Sequence, residues 1–322
     1  MTTTPEAYVH LSTDKTTLTF YYDTLRADRN GTTWGIRDWD AFFSCPAWAG
    51  DFNPRSTTVL TAVFDASFRD FRSTTTEGWF YELNLLERIE GLEHLNTSQV
   101  TSMGWMFKGC GSLTSLDLSR FDTSKVTSMS GLFSGCGSLT SLDLTCFDTS
   151  KVTDMRGMFE GCGSLTSLDL TRFDTSKVTD MGWMFSGCGS LTSLDLTRFD
   201  TSQVTDMEEM FSGCESLTAL DLSSFDTSEV SYMRGMFSGC KSLTALDLSS
   251  FDTSNVTDMR GMFYSCESLT TIYCNSSWSD RLSDDMFSGC NSLRGAATNV
   301  GNSYDVSMAN PETGYFTKKV LS

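Results

Sequence analysis

Residues 184–202 read MFSGCGSLTSLDLTRFDTS, and close variants of this stretch recur along the chain. Its cysteine returns at intervals of 26 residues, at Cys110, Cys136, Cys162, Cys188, Cys214, Cys240 and Cys266. A fixed period of about 20–50 residues is the sequence mark of a stacked repeat protein. This period outweighs the length of 322 residues, which by itself would favour about two globular domains.

The first half of each repeat predicts a strand followed by a turn. In residues 113–138, Leu113, Leu116 and Leu118 have the L-x-x-L-x-L spacing of a leucine-rich repeat. The last two leucines share one face of an extended strand, because side chains alternate along a strand. Asp122 then opens a turn, since a short carboxylate accepts hydrogen bonds from the backbone N–H groups that follow it.

The second half of each repeat returns the chain to the next strand. Val126 and Met129 predict a second extended segment, and the spacing of Leu132, Phe133 and Cys136 favours one or two helical turns. One repeat cannot bury its apolar faces alone, so stability must come from stacking. We therefore predict a right-handed leucine-rich-repeat solenoid of α/β type, with a parallel concave sheet and short convex helices or turns.

Leading leucines mark nine repeats, at Leu60, Leu86, Leu113, Leu139, Leu165, Leu191, Leu217, Leu243 and Leu269. We predict a repeat domain over residues 57–274, of which the first two repeats are degenerate. Residues 1–56 are predicted to form an aromatic-rich N-terminal cap, with a strand over Thr17–Tyr22 and a tight turn at Asn30-Gly31. Residues 275–322 are predicted to form a β-rich C-terminal cap that ends in a strand over Gly314–Lys319.

The repeat at residues 168–188, LDLTRFDTSKVTDMGWMFSGC, closely resembles that of BspA-like leucine-rich-repeat surface proteins. The resemblance extends to LTFYYD at residues 18–23 and to GYFT at residues 314–317, so it covers nearly the whole chain. It implies a bacterial cell-surface or secreted protein that adheres to host or neighbouring-cell macromolecules without enzymatic activity. The localisation comes from the resemblance, because residues 1–5 lack the basic start and apolar stretch of a signal peptide.

Composition narrows the classes of function. The net charge of −18 disfavours nucleic acid and anionic membranes as partners, and the longest apolar runs fall short of the ~18 residues of a membrane helix. Only two histidines are present, His10 and His94, which removes most histidine-based catalytic triads and zinc sites. We expect a non-catalytic module that binds a protein or a glycan-bearing macromolecule. The alternative is a structural spacer without a ligand of its own.

The total of 11 cysteines is odd, whereas a secreted disulfide framework usually has an even number. The seven equivalent cysteines favour a ladder of buried thiols that behave as small apolar residues. Disulfides between neighbouring positions stay open as an alternative, because adjacent repeats can come within the Cα separation that a disulfide tolerates. Cys146 replaces the Arg or Ser of other repeats and is predicted to be exposed.

Aspartates recur at three positions of the repeat. The strand series is Asp117, Asp143, Asp169, Asp195, Asp221 and Asp247. The turn series is Asp122, Asp148, Asp174, Asp200, Asp226 and Asp252, and the Val-Thr-Asp-Met series is Asp154, Asp180, Asp206 and Asp258. The strand series shares one sheet face at a spacing of about 4.8 Å, so we expect raised pKa values and a possible role in holding calcium, unless neighbouring hydroxyls relieve the repulsion.

Candidate partner-binding residues are those that vary between repeats. The pair before the second Met or Leu of each repeat supplies them: Trp105, Arg156, Trp183, Arg234 and Arg260. Trp and Arg are enriched at binding hot spots. The structural alternative is that Trp105 and Trp183 lie flat on the convex face and cover glycines. No catalytic or cofactor-binding residue is predicted.

Overall fold

The computed structural model describes residues 4–39, 45–49, 58–278, 282–296 and 304–319. The chain divides into two compact units, an N-terminal unit of residues 1–151 and a C-terminal unit of residues 152–322. Each unit contains stacked leucine-rich repeats, as the sequence predicts. The predicted boundary between residues 56 and 57 lies outside the described residues, and the one between 274 and 275 stays a prediction.

The N-terminal unit begins with a five-stranded sheet. Its strands are β1 (Glu6–Leu11), β2 (Thr17–Asp23), β3 (Thr32–Gly35), β4 (Thr61–Phe64) and β5 (Arg88–Glu90). The strand order is β3-β1-β2-β4-β5, with β1 antiparallel to β2 and β3, and β4 parallel to β2 and β5. The strand over residues 17–22 is confirmed. At Asn30-Gly31 the chain bends, with φ 124° at Gly31, instead of forming the predicted tight turn. Three 3-10 helical turns complete the unit, at Arg26–Asp28, Ala66–Asp70 and Leu92–His94.

Aromatic side chains form the core at the start of this unit. Phe20 of β2 stacks on Phe64 of β4 and on Trp79, with ring centroids 4.5 and 5.5 Å apart. Trp48 lies against the same group, and its indole Nε1 donates to the carbonyl of Trp79 at 2.9 Å. This bond satisfies the polar group that a buried tryptophan brings into a core. Trp39 is 39% exposed and stays outside the core.

The C-terminal unit has a three-stranded parallel sheet at its end. Its strands are β6 (Ala245–Asp247), β7 (Thr271–Tyr273) and β8 (Phe316–Thr317), in that order, and a 3-10 turn over Val306–Met308 precedes β8. The final strand is shorter than the predicted Gly314–Lys319. Residues 152–244, all of which the structure describes, form no paired strand at the leucine positions.

Leucine segments pair as strands at the end of the C-terminal unit. In β6 and β7, Asp247 lies opposite Tyr273, and Lys319 donates to the Asp247 carboxylate at 2.5 Å. In the preceding repeats the same position carries an aspartate in each neighbour. Among the described residues, the predicted parallel sheet is confined to the ends of the repeat array, at β4–β5 and β6–β8.

A different segment carries the regular backbone ladder. In the repeat at residues 181–187, every second N–H donates to a carbonyl one repeat further on, at 2.7–3.0 Å. The donors are Met181, Trp183, Phe185 and Gly187, and the acceptors are Asp206, Glu208, Met210 and Ser212. In both units the ladder starts at parallel bridges in the Val-Thr-Asp-Met segment, such as Ser102–Ser128 and Asp180–Asp206. Backbone hydrogen bonds between neighbouring repeats are thus made by this turn segment where the leucine segments form none.

The segment with the ladder is a chain of tight turns and not a helix. The N–H of Met184 donates to the carbonyl of Met181, and that of Cys188 donates to the carbonyl of Phe185. Two residues between them have positive φ, Trp183 at 56° and Gly187 at 73°. An α-helix of L-residues needs negative φ throughout. Of the two predicted possibilities, helices or turns, the structure has turns.

Buried side chains stack in register beneath these turns. In the C-terminal unit the rings of Phe159, Phe185, Phe211, Phe237, Phe263 and Phe287 stack with centroids 5.4–5.8 Å apart. The buried Cys188 thiol donates to the carbonyl of Phe159 at 3.1 Å, and Cys214 donates to Phe185 at 3.2 Å. The equivalent cysteines of each unit are buried, as predicted.

A row of buried threonines adds a second link between repeats. Thr201 is 1% exposed, and its hydroxyl donates to the carbonyl of Asp226 at 2.7 Å. The same hydroxyl accepts from the N–H of Asp226 at 2.8 Å. Thr123 joins Asp148 in this way in the N-terminal unit. The Asp-Thr-Ser motif therefore both makes a turn and holds the next repeat, a role that the sequence interpretation missed.

We predict that Gly187→Ala destabilises the protein by about 1–2 kcal/mol, because an L-residue pays roughly that cost in the left-handed region. A Cβ at this position would also lie 3.3 Å from the backbone of Gly161. The measurement is the free energy of unfolding in urea.

Gly189→Ala is the matched control. Its Cβ would meet nothing closer than the carbonyl oxygen of Gly213 at 3.8 Å, and Gly189 is not among the residues with positive φ. We expect this variant to be as stable as the wild type or slightly more stable. Equal effects of the two substitutions would contradict the role given to the left-handed position.

Candidate binding surface

The strand aspartates are acceptors in local turns. Oδ1 of Asp195 accepts from the N–H of Thr197 at 3.0 Å and from its hydroxyl at 2.6 Å. In all six members of the series, Oδ1 accepts the N–H of the residue two positions further on. Hydrogen bonds to the ionised form favour it. Bonds from Thr197 thus hold the pKa of Asp195 below its usual range, and equivalent bonds do so for Asp117, Asp169 and Asp221.

The expectation that some strand aspartates have raised pKa values is wrong for Asp117, Asp169, Asp195, Asp221 and Asp247. Hydrogen-bond donors within each repeat outweigh the repulsion between neighbouring carboxylates, and Lys319 adds a further donor to Asp247. In the part of the chain that the structure describes, no three acidic, cysteine or histidine side chains lie close enough to hold a metal ion. The structure does not assemble the calcium site considered for Asp117, Asp143, Asp169, Asp195, Asp221 and Asp247.

The turn aspartates behave as predicted. Oδ1 of Asp200 accepts from the N–H of Ser202 at 3.0 Å, and Oδ1 of Asp122 accepts from the N–H and the hydroxyl of Ser124. The bonds from Ser124 lower the pKa of Asp122.

Carboxylate crowding occurs instead in the Val-Thr-Asp-Met series of the C-terminal unit. Asp154, Asp180 and Asp206 lie on consecutive parallel bridges. Burial raises the pKa of Asp180, and the charge of Asp206 adds to the effect. Burial also raises the pKa of Glu208, again with a contribution from Asp206.

Two predicted partner-binding residues meet at this row. The Arg156 guanidinium lies 3.7 Å from the ring centroid of Trp183, which is a cation–π contact. Nη1 of Arg156 also donates to Oδ2 of Asp180 at 3.2 Å and to Oδ2 of Asp206 at 3.1 Å. One arginine thus bridges two repeats and supports one face of the tryptophan ring.

The other two predicted arginines are held by acidic neighbours. Arg260 binds Asp258 through two nitrogens, with Nε 3.0 Å from Oδ1 and Nη2 2.5 Å from Oδ2. Burial alone would raise the pKa of Asp258, but the hydrogen bonds from Arg260 outweigh it and the pKa is lowered. Arg234 contacts Oε1 of Glu208 at 3.4 Å. Both arginines stay exposed at their outer edges.

Trp105 belongs to the N-terminal unit and is 40% exposed. Its ring lies over Gly131, where an added Cβ would come within 2.4 Å of the indole Cδ1. Trp105 therefore covers a glycine, as the structural alternative predicts, and still presents one face to solvent. In the C-terminal unit, Trp183 stacks on Arg156, and Glu209 occupies the equivalent position of the next repeat.

The C-terminal unit has an open groove that was not predicted from the sequence. It has a volume of about 420 Å³ and contains the predicted residues Arg234 and Arg260 together with Glu209, Ser212, Gly235, Ser238, Gly261, Tyr264, Asp284 and Asp285. A signal was available in the repeat alignment, because Tyr264 stands where neighbouring repeats have Ser212 and Ser238.

Residues 74–194 and 184–300 each match the sequence profile of a family whose description reads "Mycoplasma protein of unknown function, DUF285". The two matches together span more than half of the chain. The chain belongs to this family. The residues that match DUF285 include every regular 26-residue repeat. The turns and the backbone ladder described above are therefore the structure of the DUF285 repeat in this protein.

Three solved structures are similar to this DUF285 chain at low identity. They are a leucine-rich cell-surface protein from Faecalibacterium prausnitzii (16% identity, 90% of this chain and 92% of that one, TM-score 0.32), a leucine-rich-repeat protein from Bacteroides ovatus (16%, 90% and 92%, 0.24) and a leucine-rich-repeat protein from T. pallidum (15%, 89% and 87%, 0.30). A comparison with curated proteins finds no match. The fold assignment rests on the repeat and its hydrogen bonds.

Among the described residues, no helix is both long enough and apolar enough to cross a membrane.

We predict that the free energy of unfolding decreases as the pH falls through the acid range, because the strand aspartates become protonated. A lowered folded-state pKa stabilises the protein above the pKa of the unfolded chain, near 4, and this stabilisation is lost as pH falls through the lower folded value. Asp169→Asn with Asp195→Asn should lower the melting temperature at pH 7, and the difference from the wild type should shrink towards pH 2. Glu267→Gln removes one exposed carboxylate and is the control.

Melting curves with millimolar calcium test the cation hypothesis in the same series. We expect no calcium-dependent rise in melting temperature. A higher melting temperature of the double variant at pH 7, or a calcium-induced rise that the double variant loses, would contradict the role of these carboxylates as satisfied acceptors.

We predict that Cys146 is the first thiol to react with a maleimide in the native protein. Partial burial raises the pKa of the Cys146 thiol, but Cys146 is exposed to the reagent, whereas Cys188, Cys214 and Cys240 are buried. Burial raises the pKa of Cys214 to about 12 and also raises that of Cys188 and Cys240. The thiolate is the reactive form, so the buried thiols should label only after unfolding. Cys146→Ser should remove the fast phase of labelling measured by mass spectrometry. Rapid labelling of the seven equivalent repeat cysteines in the native protein would refute their buried arrangement.

Proposed function

We propose that this protein is a non-catalytic, adhesin-like binding module that acts at the cell surface or in secreted form. Its partner would be a protein or a glycan-bearing macromolecule on a host or neighbouring-cell surface. The resemblance of its repeat to BspA-like surface proteins supports this assignment. The net charge of −18 and the scarcity of histidines agree with it, because they disfavour nucleic acid as a partner and most histidine-based chemistry.

The observation that carries the proposal is the backbone conformation of the two tryptophans. Trp105 and Trp183 have φ values of 57° and 56°, in the left-handed region that costs a bulky residue roughly 1–2 kcal/mol. Gly157 and Gly235 occupy the same position in other repeats and donate to the same backbone ladder. Folding does not require tryptophan there.

Conformationally costly residues that the fold does not require are typical of functional sites. Trp105 is 40% exposed, and Trp183 is supported by Arg156, which is itself held by Asp180 and Asp206. A preorganised aromatic residue loses little entropy on binding, which is the property of a hot spot. The tryptophan surfaces are thus suited to anchoring a partner.

A structural spacer is the second candidate, because Trp105 covers Gly131 and Trp183 packs on Arg156. Under this alternative the tryptophans serve only the stack, and the protein binds no surface macromolecule.

We predict that Trp105→Gly and Trp183→Gly separate binding from folding. Glycine has no steric cost in the left-handed region, so the free energy of unfolding should stay unchanged or rise by up to about 1 kcal/mol. Affinity should fall about tenfold or more, as expected when a hot-spot tryptophan is lost. The measurements are urea unfolding and biolayer interferometry against a panel of host extracellular-matrix and cell-surface glycoproteins.

Glu82→Gly is the control for relief of positive φ, because Glu82 has φ 55° at the second left-handed position of its repeat, equivalent to Gly109, and carries no aromatic ring. It should keep the affinity of the wild type. A wild-type protein that binds nothing in the panel would favour the spacer, and full affinity in both tryptophan variants would contradict the assigned surface.

A further inference from the structure

Four consecutive repeats of the C-terminal unit create the groove through their left-handed positions. These positions are occupied by Glu209, Gly235, Gly261 and Asp285, with φ values of 51–59°. The backbone ladder joins them in series, since the N–H of Glu209 donates to Arg234, that of Gly235 to Arg260 and that of Gly261 to Asp284. The two inner positions have no side chain, and the two outer positions carry carboxylates.

This arrangement gives the groove a floor and two ends. A Cβ added to Gly261 would have only one near neighbour, the Cβ of Tyr264 at 3.6 Å, so the floor of the groove is open there. Glu209 leans over Gly235 at one end, where its Cγ would be 3.0 Å from an added Cβ. Three repeat steps of about 4.7–4.9 Å make the groove about 14 Å long. Its volume of about 420 Å³ lies in the range of small-molecule sites, about 300–1,000 Å³.

The lining alternates donors with acceptors. Arg234 and Arg260 supply donors, and their positions are held from outside the groove by Glu208 and Asp258. The acceptor carboxylates are those of Glu209, Asp284 and Asp285, and the hydroxyls of Ser212 and Ser238 can both donate and accept. An anionic ligand would face three carboxylates, and a cationic ligand would face two guanidinium groups.

One wall of the groove is aromatic. Tyr264 is 47% exposed and stands next to the open floor at Gly261. It replaces the serine that the two preceding repeats have at this position, Ser212 and Ser238. An exposed ring beside hydrogen-bonding groups offers an apolar surface and polar partners to the same ligand.

We propose that this groove binds a short neutral oligosaccharide. A sugar hydroxyl both donates and accepts, so it can pair with each member of the mixed lining, whereas a ligand of either charge meets like charge. The C–H face of a sugar ring packs on Tyr264. The inference rests on the proposed binding function and names a ligand class for a site that contains neither Trp105 nor Trp183.

The test is calorimetric titration of the full chain with neutral hexasaccharides of glucose, mannose and N-acetylglucosamine. A hyaluronan hexasaccharide and hexalysine serve as charged comparators. Tyr264→Ala should weaken binding of the neutral ligand about tenfold. Gly261→Trp should abolish it by filling the floor, and the fold should tolerate this change because Trp105 and Trp183 occupy the equivalent position.

Tyr304→Ala is the matched control, since Tyr304 is 43% exposed and lies outside the groove lining. It should change affinity by no more than about twofold, the usual size of a surface effect. Circular dichroism and urea unfolding confirm that each variant is folded. Loss of neutral binding in Tyr264→Ala and Gly261→Trp, with the control intact, supports the groove.

Three results would overturn the proposal. They are no binding of any neutral hexasaccharide, stronger binding of either charged comparator than of the neutral ligands, or the same affinity for the neutral ligand in Tyr264→Ala, Gly261→Trp and Tyr304→Ala. These outcomes are independent of the glycoprotein panel and of the two tryptophan variants. A protein that binds the panel through Trp183 but binds no hexasaccharide would retain the proposed function and lose only this ligand class.

Discussion

The repeats are joined by a backbone ladder that exists only because two residues in each repeat have positive φ. With those residues, every second N–H of the turn segment points along the stack and reaches a carbonyl of the next repeat, as in Phe185 to Met210. A helix would direct the same groups into its own i−4 carbonyls and leave neighbouring repeats without backbone bonds. Gly187 and its counterparts satisfy the constraint at no steric cost.

The interior follows from the same ladder. Because neighbouring repeats are held in register, identical side chains fall above one another, and the phenylalanine rings of the C-terminal unit stack within 5.8 Å of each other. A thiol beside each ring donates to the carbonyl of the previous phenylalanine, and a buried threonine such as Thr201 binds both backbone groups of an aspartate in the next repeat. The buried thiols and threonine hydroxyls named here are thereby paired, as burial requires.

The surface takes its variety from the side chain at one left-handed position of each repeat, where the backbone is fixed and the residue type differs. Glycine at the left-handed position leaves a hollow, as at Gly261, while tryptophan or a carboxylate there projects a side chain from a fixed backbone. The choice of residue at one position per repeat thus produces either a groove or a projecting side chain on the same scaffold. This separation of scaffold and surface is typical of repeat proteins that bind macromolecules.

The sequence by itself determined the period, the leucine-rich-repeat class, the buried cysteines and the turn aspartates, because each follows from spacing or from contacts within a few residues. It also predicted Trp105, Arg156, Trp183, Arg234 and Arg260 as partner-binding residues from their variation between repeats, and that role stays a prediction. Only the tertiary structure decided that Arg156 stacks on Trp183, that turns replace helices, and that hydroxyl donors lower the pKa of the strand aspartates. The first outcome depends on neighbours 24 and 50 residues away in the chain, and the second depends on φ values, neither of which local patterns encode. The third depends on donors only two residues away, but the sequence does not fix how they are oriented towards each carboxylate.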